Sequence, residues 1–236
     1  MTTMSALSHY NEQADSDVAD DADAFDYLTD VVIPARDESL ETLLPTLRAF
    51  RGALGTGKIV LVNDYTDTEW ATEVIHGVGD LADVIVPGPR LGKGQAVTAG
   101  LRYVGTEDVV LCDADLHGFS SLHAGQLLNT LFTGMTLGIL DYQEGHVPWH
   151  VPPDAWALMT GQRCVPTDLI RDLPLHGYAM QVQINQAIIG AELPIFPVRL
   201  HGCTGTRRWS DARHSEMVRD GIWLANQAKL DREKDA

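Results

Sequence analysis

The residues best able to do chemistry in this chain fall in a few short segments. Asp113-Ala114-Asp115 follows directly on the apolar run Val109-Val110-Leu111-Cys112. Two carboxylates one residue apart at the end of a buried strand can share one hard divalent cation, Mn2+ or Mg2+. Such a pair leaves coordination positions open for diphosphate oxygens. The bland reading of the same tripeptide is a surface turn with two incidental aspartates. Gly92-Lys93-Gly94 precedes a helical stretch, where backbone N–H groups and one ammonium could cradle phosphate. A plain helix-start turn is the alternative. Its spacing excludes a Walker A loop, whose first glycine would fall on Pro87 and whose Ser/Thr would fall on Gly94. No glycine triplet follows the first strand, so the dinucleotide fingerprint is absent too.

Other candidates are weaker. His201-Gly202-Cys203 and the pair His146, His150 invite a zinc reading, but neither has a second ligand pair at usable spacing, and Pro148 breaks any helix between the two histidines. His201 at a strand end could still complete a magnesium or manganese site. Arg207-Arg208 could close over a diphosphate, because guanidinium forks match phosphate oxygens; two solvated arginines are the alternative. A nucleophilic triad finds no support, since there is no G-x-S-x-G and the cysteines sit in apolar surroundings.

These segments need a scaffold, and from Asp30 onward short β-branched runs alternate with helical stripes. Val31 to Ile33, Ile59 to Val62, Asp83 to Val86 and Val109 to Cys112 read as buried strands, with Thr136 to Leu140 as another. Between them, Leu40, Leu43, Leu44, Leu47 and Phe50 form a helical stripe that Ser39 can cap. Further helices are expected from about Thr68, over Gln95 to Tyr103, and over Ser120 to Phe132. This β-α-β-α-β-α-β series predicts an α/β fold, a mostly parallel central sheet with helices on both faces. Ligands in such sheets sit beyond the carboxyl ends of the strands. Three strands end in polar clusters there: Pro34-Ala35-Arg36-Asp37-Glu38, Asn63-Asp64-Tyr65-Thr66-Asp67 and Asp113-Ala114-Asp115. In the second half, Asp141 to Asp154 reads as a long loop and Trp156 to Thr160 as a strand. Pro166 to Leu173 reads as a short helix, Tyr178 to Ile189 as a longer one, Ile195 to Leu200 as a strand, and Ser215 to Lys229 as a closing helix. No repeat or linker divides the chain, so residues 27–236 form one domain behind an acidic, disordered tail over residues 1–26.

Composition narrows the function classes. The chain has 236 residues, 44% hydrophobic, with a net charge of -16, enough for one sizeable core and incompatible with disorder throughout. Eight of its 33 acids lie in residues 1–30, which hold no Lys or Arg, leaving 25 acids against 17 bases elsewhere. That balance disfavours a long basic groove for nucleic acid without excluding a small positive pocket for a nucleotide. No apolar run reaches the ~18 residues of a membrane span, and the start carries no secretory signal pattern. Three widely spread cysteines suit reduced thiols in a cytoplasm. Self-association as a homo-oligomer stays open.

Taken together, the segments resemble nucleotide-sugar glycosyltransferases of the GT-A type, family 2 and its relatives. Val31-Val32-Ile33-Pro34-Ala35-Arg36-Asp37-Glu38 is similar to the V-I-P-A-x-N-E opening of that family. Val62-Asn63-Asp64-Tyr65-Thr66-Asp67 is similar to its V-D-D-x-S-x-D turn, Gly92-Lys93-Gly94-Gln95-Ala96 to G-K-G-x-A, and Asp113-Ala114-Asp115 to D-x-D. Thr160-Gly161-Gln162-Arg163 resembles the S-G-x-R segment of the branch around glucosyl-3-phosphoglycerate synthases and dolichyl-phosphate sugar synthases. The resemblance implies a GT-A, Rossmann-like domain and a uridine or guanosine diphosphate sugar donor, with an unidentified hydroxyl acceptor. It implies donor contacts along Pro34, Ala35, Arg36, Glu38, Asn63, Asp64, Gly92, Lys93, Asp113, Ala114 and Arg207. It places the metal on Asp115, with Asp113 near the ribose or a metal-bound water and His201 as a further ligand.

Two departures bear on mechanism. Asn63-Asp64-Tyr65 lacks the glycine usual in that turn. Gly177-Tyr178-Ala179-Met180-Gln181 is similar to G-Y-G-x-E but carries Gln181 where an acid is common. A glutamine cannot accept the proton of a hydroxyl nucleophile. Asp141, Asp154 and His176 are the substitutes, and a retaining course, with the leaving phosphate assisting, is the reading preferred. Two other functions compete: a sugar-nucleotide nucleotidyltransferase, which needs a Gly-rich loop that Pro34 to Glu38 does not supply, and a non-catalytic binding protein of the same fold.

Overall fold

A computed structural model of the chain describes residues 28–64, 68–87, 92–129, 134–141 and 160–205. The expected acidic tail, the body of the Asp141–Asp154 loop, all but Thr160 of the strand expected over Trp156–Thr160 and the closing helix lie outside these residues. The N-terminal half alternates β1 (Thr29–Ala35), α1 (Leu40–Arg51), β2 (Thr56–Asn63), α2 (Thr68–Val78), β3 (Val84–Pro87), α3 (Lys93–Leu101) and β4 (Asp108–Leu111). Then come β5 (Leu116–His117), α4 (Ser121–Leu128), β6 (Met135–Leu140), β7 (Arg163–Pro166), α5 (Thr167–Arg171), α6 (Met180–Gly190), β8 (Ile195–Leu200) and β9 (Thr204–Gly205).

Seven strands form one sheet in the order β3-β2-β1-β4-β7-β6-β8. β1 pairs in parallel with β2 and β4, and β2 with β3. β7 runs antiparallel to both β4 and β6, and β8 is parallel to β6. Every strand of the sheet except β7 therefore points the same way. The strand side chains alternate between two cores. Val31, Ile33, Ile59, Leu61 and Val110 pack with Leu43, Leu47 and Phe50 of α1 and Leu127 of α4. Val32, Val60, Val62, Val109 and Leu111 pack on the other face with Val97 and Leu101 of α3 and Ile184 of α6. Near-continuous apolar runs such as Ile59 to Val62 follow from this two-sided burial.

Local chemistry sets the helix starts. The Ser39 hydroxyl accepts from Thr42 N at 3.3 Å, the cap expected from the sequence. At α4, Ser120 and His123 form a reciprocal capping box. The expected helix over Ser120–Phe132 stops at Leu128. The short strand β7 was not anticipated: Arg-Cys-Val-Pro is brief, holds a charge and ends in proline, and each of those features argues against a central strand. At the opposite edge from the polar clusters, the buried Asp30 carboxylate accepts from Lys58 N at 2.7 Å and Gly105 N at 2.8 Å. Among the described residues, no helix is long and apolar enough to cross a membrane.

Helix α3 lies close on the sheet because residue 100 is glycine. A Cβ there would stand 2.5 Å from Val32 Cγ1 and 2.9 Å from Val62 Cγ2. Gly100→Ala is therefore expected to lower unfolding free energy by ~1–3 kcal/mol, the usual cost of overpacking a core. Urea unfolding checks this, with unchanged stability contradicting the close approach.

Candidate active site

The direction of the strands decides where the polar segments meet. β1, β2, β4, β6 and β8 all end on one edge of the sheet, which collects Glu38, Asp64, Asp113, Asp115, Asp141 and His201 there. β7 runs the other way, so its entry, Thr160-Gly161-Gln162, lies on that same edge. Hydrogen bonds tie the ends together: Asp64 N donates to Ala35 O at 2.9 Å, and the Thr46 hydroxyl of α1 donates to Ala114 O at 3.4 Å. Beyond Asp115, β5 pairs with β9, which brings the His201–Cys203 turn alongside.

Asp113 is held at both carboxylate oxygens. Lys93 Nζ, at the start of α3, makes an ion pair and hydrogen bond with its Oδ1. Gln162 Nε2 donates to its Oδ2 at 3.0 Å. Burial opposes the charge on Lys93, yet attraction to Asp113, the hydrogen bond to it and the nearby Tyr178 and Asp115 outweigh that cost. The ammonium pKa lies above the ordinary lysine value as a result. On the lysine side, the stabilisation is complete below that ordinary value and is lost only as pH rises through the raised one. Lys93 is held in place by glycine chemistry on its flanks. Gly92 has φ of 110°, a region that L side chains rarely enter. Gly94 lets α3 touch the segment before α6, because a Cβ there would fall 2.7 Å from His176 N. The Gly-Lys-Gly step thus serves packing as well as charge placement.

The other expected residues divide into those turned to the edge and those engaged elsewhere. Glu38 is buried, and its carboxylate accepts from Arg36 N, while Asp37 between them holds a left-handed φ of 59°. Pro34 and Ala35 form the end of β1. Asp64 is buried at the end of β2. Asn63 is engaged with α2: its Nδ2 donates to Ala71 O at 3.1 Å. His176 meets Gln95 Nε2 through Nδ1 at 3.3 Å, beside the Gly94 contact. Asp141 Oδ2 accepts from Gly202 N at 2.7 Å and stands 3.9 Å from His201 Nδ1. Asp154 and Arg207 lie outside the described residues.

Among the described residues, no group of three His, Cys, Asp or Glu side chains is placed to hold a metal. His201 is exposed and paired with Asp141 rather than gathered with Asp113 and Asp115. The two aspartates themselves fit Mn2+ or Mg2+ by donor type, since hard carboxylate oxygens suit those ions when ligand oxygens complete the shell. A cysteine nucleophile is disfavoured by burial. It raises the Cys112 and Cys164 thiols well above their usual range and pushes Cys203 up to about 12.

Two residues of the site carried no role in the sequence reading. Gln162 stood inside the S-G-x-R segment, and only its position opposite Asp113 marks it out. Arg163 is fully buried and donates to Gln181 O at 3.3 Å, to Asn185 Oδ1 at 3.1 Å and to Thr160 O. Burial lowers its pKa to about 10 against the opposing pull of Asp113, so it stays charged at neutral pH.

No protein-family model matches the chain, and neither does any curated protein sequence. Solved structures do match. The mannosyl-3-phosphoglycerate synthase of Rubrobacter xylanophilus superposes with a TM-score of 0.66 at 16% identity, over 86% of this chain and 75% of that one. The glucosyl-3-phosphoglycerate synthase of Mycobacterium tuberculosis, in complex with Mn2+ and UDP-glucose, gives 0.64 at 19% identity, over 83% and 77%. The same enzyme with Mn2+, UDP and glucosyl-3-phosphoglycerate gives 0.61 at 20% identity, over 77% and 73%. The fold is GT-A. The parallel half of this GT-A sheet carries the first four polar segments, and the antiparallel β7 closes the edge with the fifth.

Proposed function

We propose that the chain is a divalent-metal-dependent glycosyltransferase that moves a sugar from a nucleotide diphosphate sugar to a hydroxyl acceptor. One observation carries this reading. Lys93 from α3 and Asp113 from β4 meet beside Asp115 at the carboxyl edge of a GT-A sheet, where a diphosphate needs a cation and a metal needs carboxylates. In this reading Glu38 and Asp64 take the base and ribose, with Pro34, Ala35, Arg36 and Asn63 shaping that end. Gly92, Lys93 and Ala114 flank the diphosphate, and Arg207 closes over it. Asp115 and Asp113 hold Mn2+ or Mg2+, and His201, which stands by Asp141 in this structure, is the further ligand that the resemblance implies. The metal, when bound, supplies Lewis-acid neutralisation of charge building on the leaving diphosphate. UDP-sugars are the preferred donors and phosphoglycerate the first acceptor to test, because the mycobacterial neighbour is crystallised with UDP-glucose and phosphoglyceric acid.

The nucleotidyltransferase alternative is disfavoured by the β1–α1 connection. It holds a buried glutamate, and no glycine stands between Pro34 and Ser39 to cradle a triphosphate. The cytoplasm remains the proposed location.

The chemistry breaks the bond between the sugar's anomeric carbon and the phosphate oxygen and forms one to the acceptor oxygen. The acceptor's proton must leave with some base. Gln181 cannot take it. Among the described residues its buried Oε1 has no hydrogen-bond partner. We assign the proton to the departing phosphate oxygen on the same face, which retains the anomeric configuration. Lys93 then stabilises the diphosphate as its charge grows.

Asp115→Ala is expected to abolish transfer and Mn2+-dependent UDP binding by calorimetry while leaving Tm within a few degrees, because a strand-end carboxylate supports little packing. UDP binding in that variant equal to the native chain's would contradict the metal assignment. Proton NMR of the first product is expected to show the donor's anomeric configuration. An inverted product would contradict retention and direct attention to Asp141 and Asp154, one of which should then cost about 10²–10⁴-fold when substituted.

A further inference from the structure

The entry of β7 forms a cradle around Asp113 that packing alone does not require. Gln162 is fully buried, and both ends of its amide are engaged. Its Oε1 lies 2.6 Å from the Thr160 hydroxyl, which is shared with Gly138 O at 2.7 Å. A carboxylate only accepts, so Nε2 must face Asp113 Oδ2 at 3.0 Å, which leaves Oε1 to the Thr160 hydroxyl. The backbone holds the residue as well: Gly138 N donates to Gln162 O at 2.8 Å, which ties the segment to β6. Gly161 completes the cradle, since a Cβ at that position would lie 2.2–2.5 Å from the atoms of the Asp113 carboxylate. Only a glycine lets Thr160-Gly161-Gln162 close over the aspartate.

We propose that Gln162 is a positioning residue for Asp113, holding one carboxylate oxygen from β7 while Lys93 holds the other from α3. The proposal rests on the nucleotide-sugar reading of the Asp113–Asp115 edge. The consequence concerns the carboxylate of Asp113. Asp113 is fixed in orientation before any ligand arrives. A carboxylate fixed in advance loses less freedom when donor and metal bind, so the benefit of Gln162 should be read in affinity.

The test is a double-mutant cycle on UDP binding, measured by calorimetry with Mn2+ in the full chain. Gln162→Met keeps the shape and removes the amide. It is expected to weaken UDP by about tenfold, the loss usual for a hydrogen bond to a charged group. In the Asp113→Asn background the same substitution should change affinity by less than about twofold. Gln162→Glu, which sets a second carboxylate against Asp113, should weaken UDP by more than Gln162→Met does, and it serves if the methionine variant does not fold. An equal loss from Gln162→Met in both backgrounds, or no loss in either, overturns the proposal alone. A native chain that binds neither UDP nor GDP with Mn2+ overturns the nucleotide-sugar reading and the proposal with it.

Discussion

The site depends on one contact, the clamp on Asp113. Three elements distant in sequence have to arrive together for it: β4 to deliver the aspartate, α3 to deliver Lys93, and β7 to deliver Gln162. Each arrival is a packing problem solved with glycine. Gly100 lets α3 lie on β1 and β2, Gly94 lets its first turn meet the His176 segment, and Gly161 lets β7 pass over the carboxylate. A side chain at any of the three would move one of the charged groups away from the others.

The electrostatics of the edge run against the chain as a whole. The protein is strongly acidic, with a net charge of -16. At the end of β4, however, Lys93 and the buried Arg163 set positive charge beside Asp113. Arg163 is stabilised in the interior by carbonyl groups of Thr160 and Gln181 and the Asn185 amide, which anchor β7 to α6. Local charge, rather than the total, sets what the pocket attracts. A small anionic ligand is compatible with such an edge, and a long polyanion is not favoured by the rest of the surface.

Much of this was legible in the sequence. Buried strands such as Ile59–Val62, and helical stripes such as Leu40–Phe50, carry their periodicity openly. The polar clusters after β1, β2 and β4 could be placed on one edge because parallel strands leave no other arrangement. What could not be read was the antiparallel insertion. β7 is short, contains a charge and ends in proline, and nothing local shows that it lies between β4 and β6. Its pairing is decided by contacts with residues more than twenty positions away. Gln162 went without a role for the same reason, since a glutamine has no chemistry until a neighbour gives its amide a direction. Asn63 is a mixed case: its cluster suggested the ligand edge, and its Nδ2 donates to Ala71 O of α2 while its buried Oδ1 has no hydrogen-bond partner among the described residues.

The central claim is that a nucleotide diphosphate sits where Lys93, Asp113 and Asp115 converge. The most direct measurement is a crystal structure of the full chain grown with a UDP-sugar and Mn2+. Density for the diphosphate at the end of β4, between Lys93 and Asp115 and with the uridine toward Glu38 and Asp64, is the expected result. A nucleotide bound elsewhere, for example at the opposite edge of the sheet near Asp30, would contradict the account.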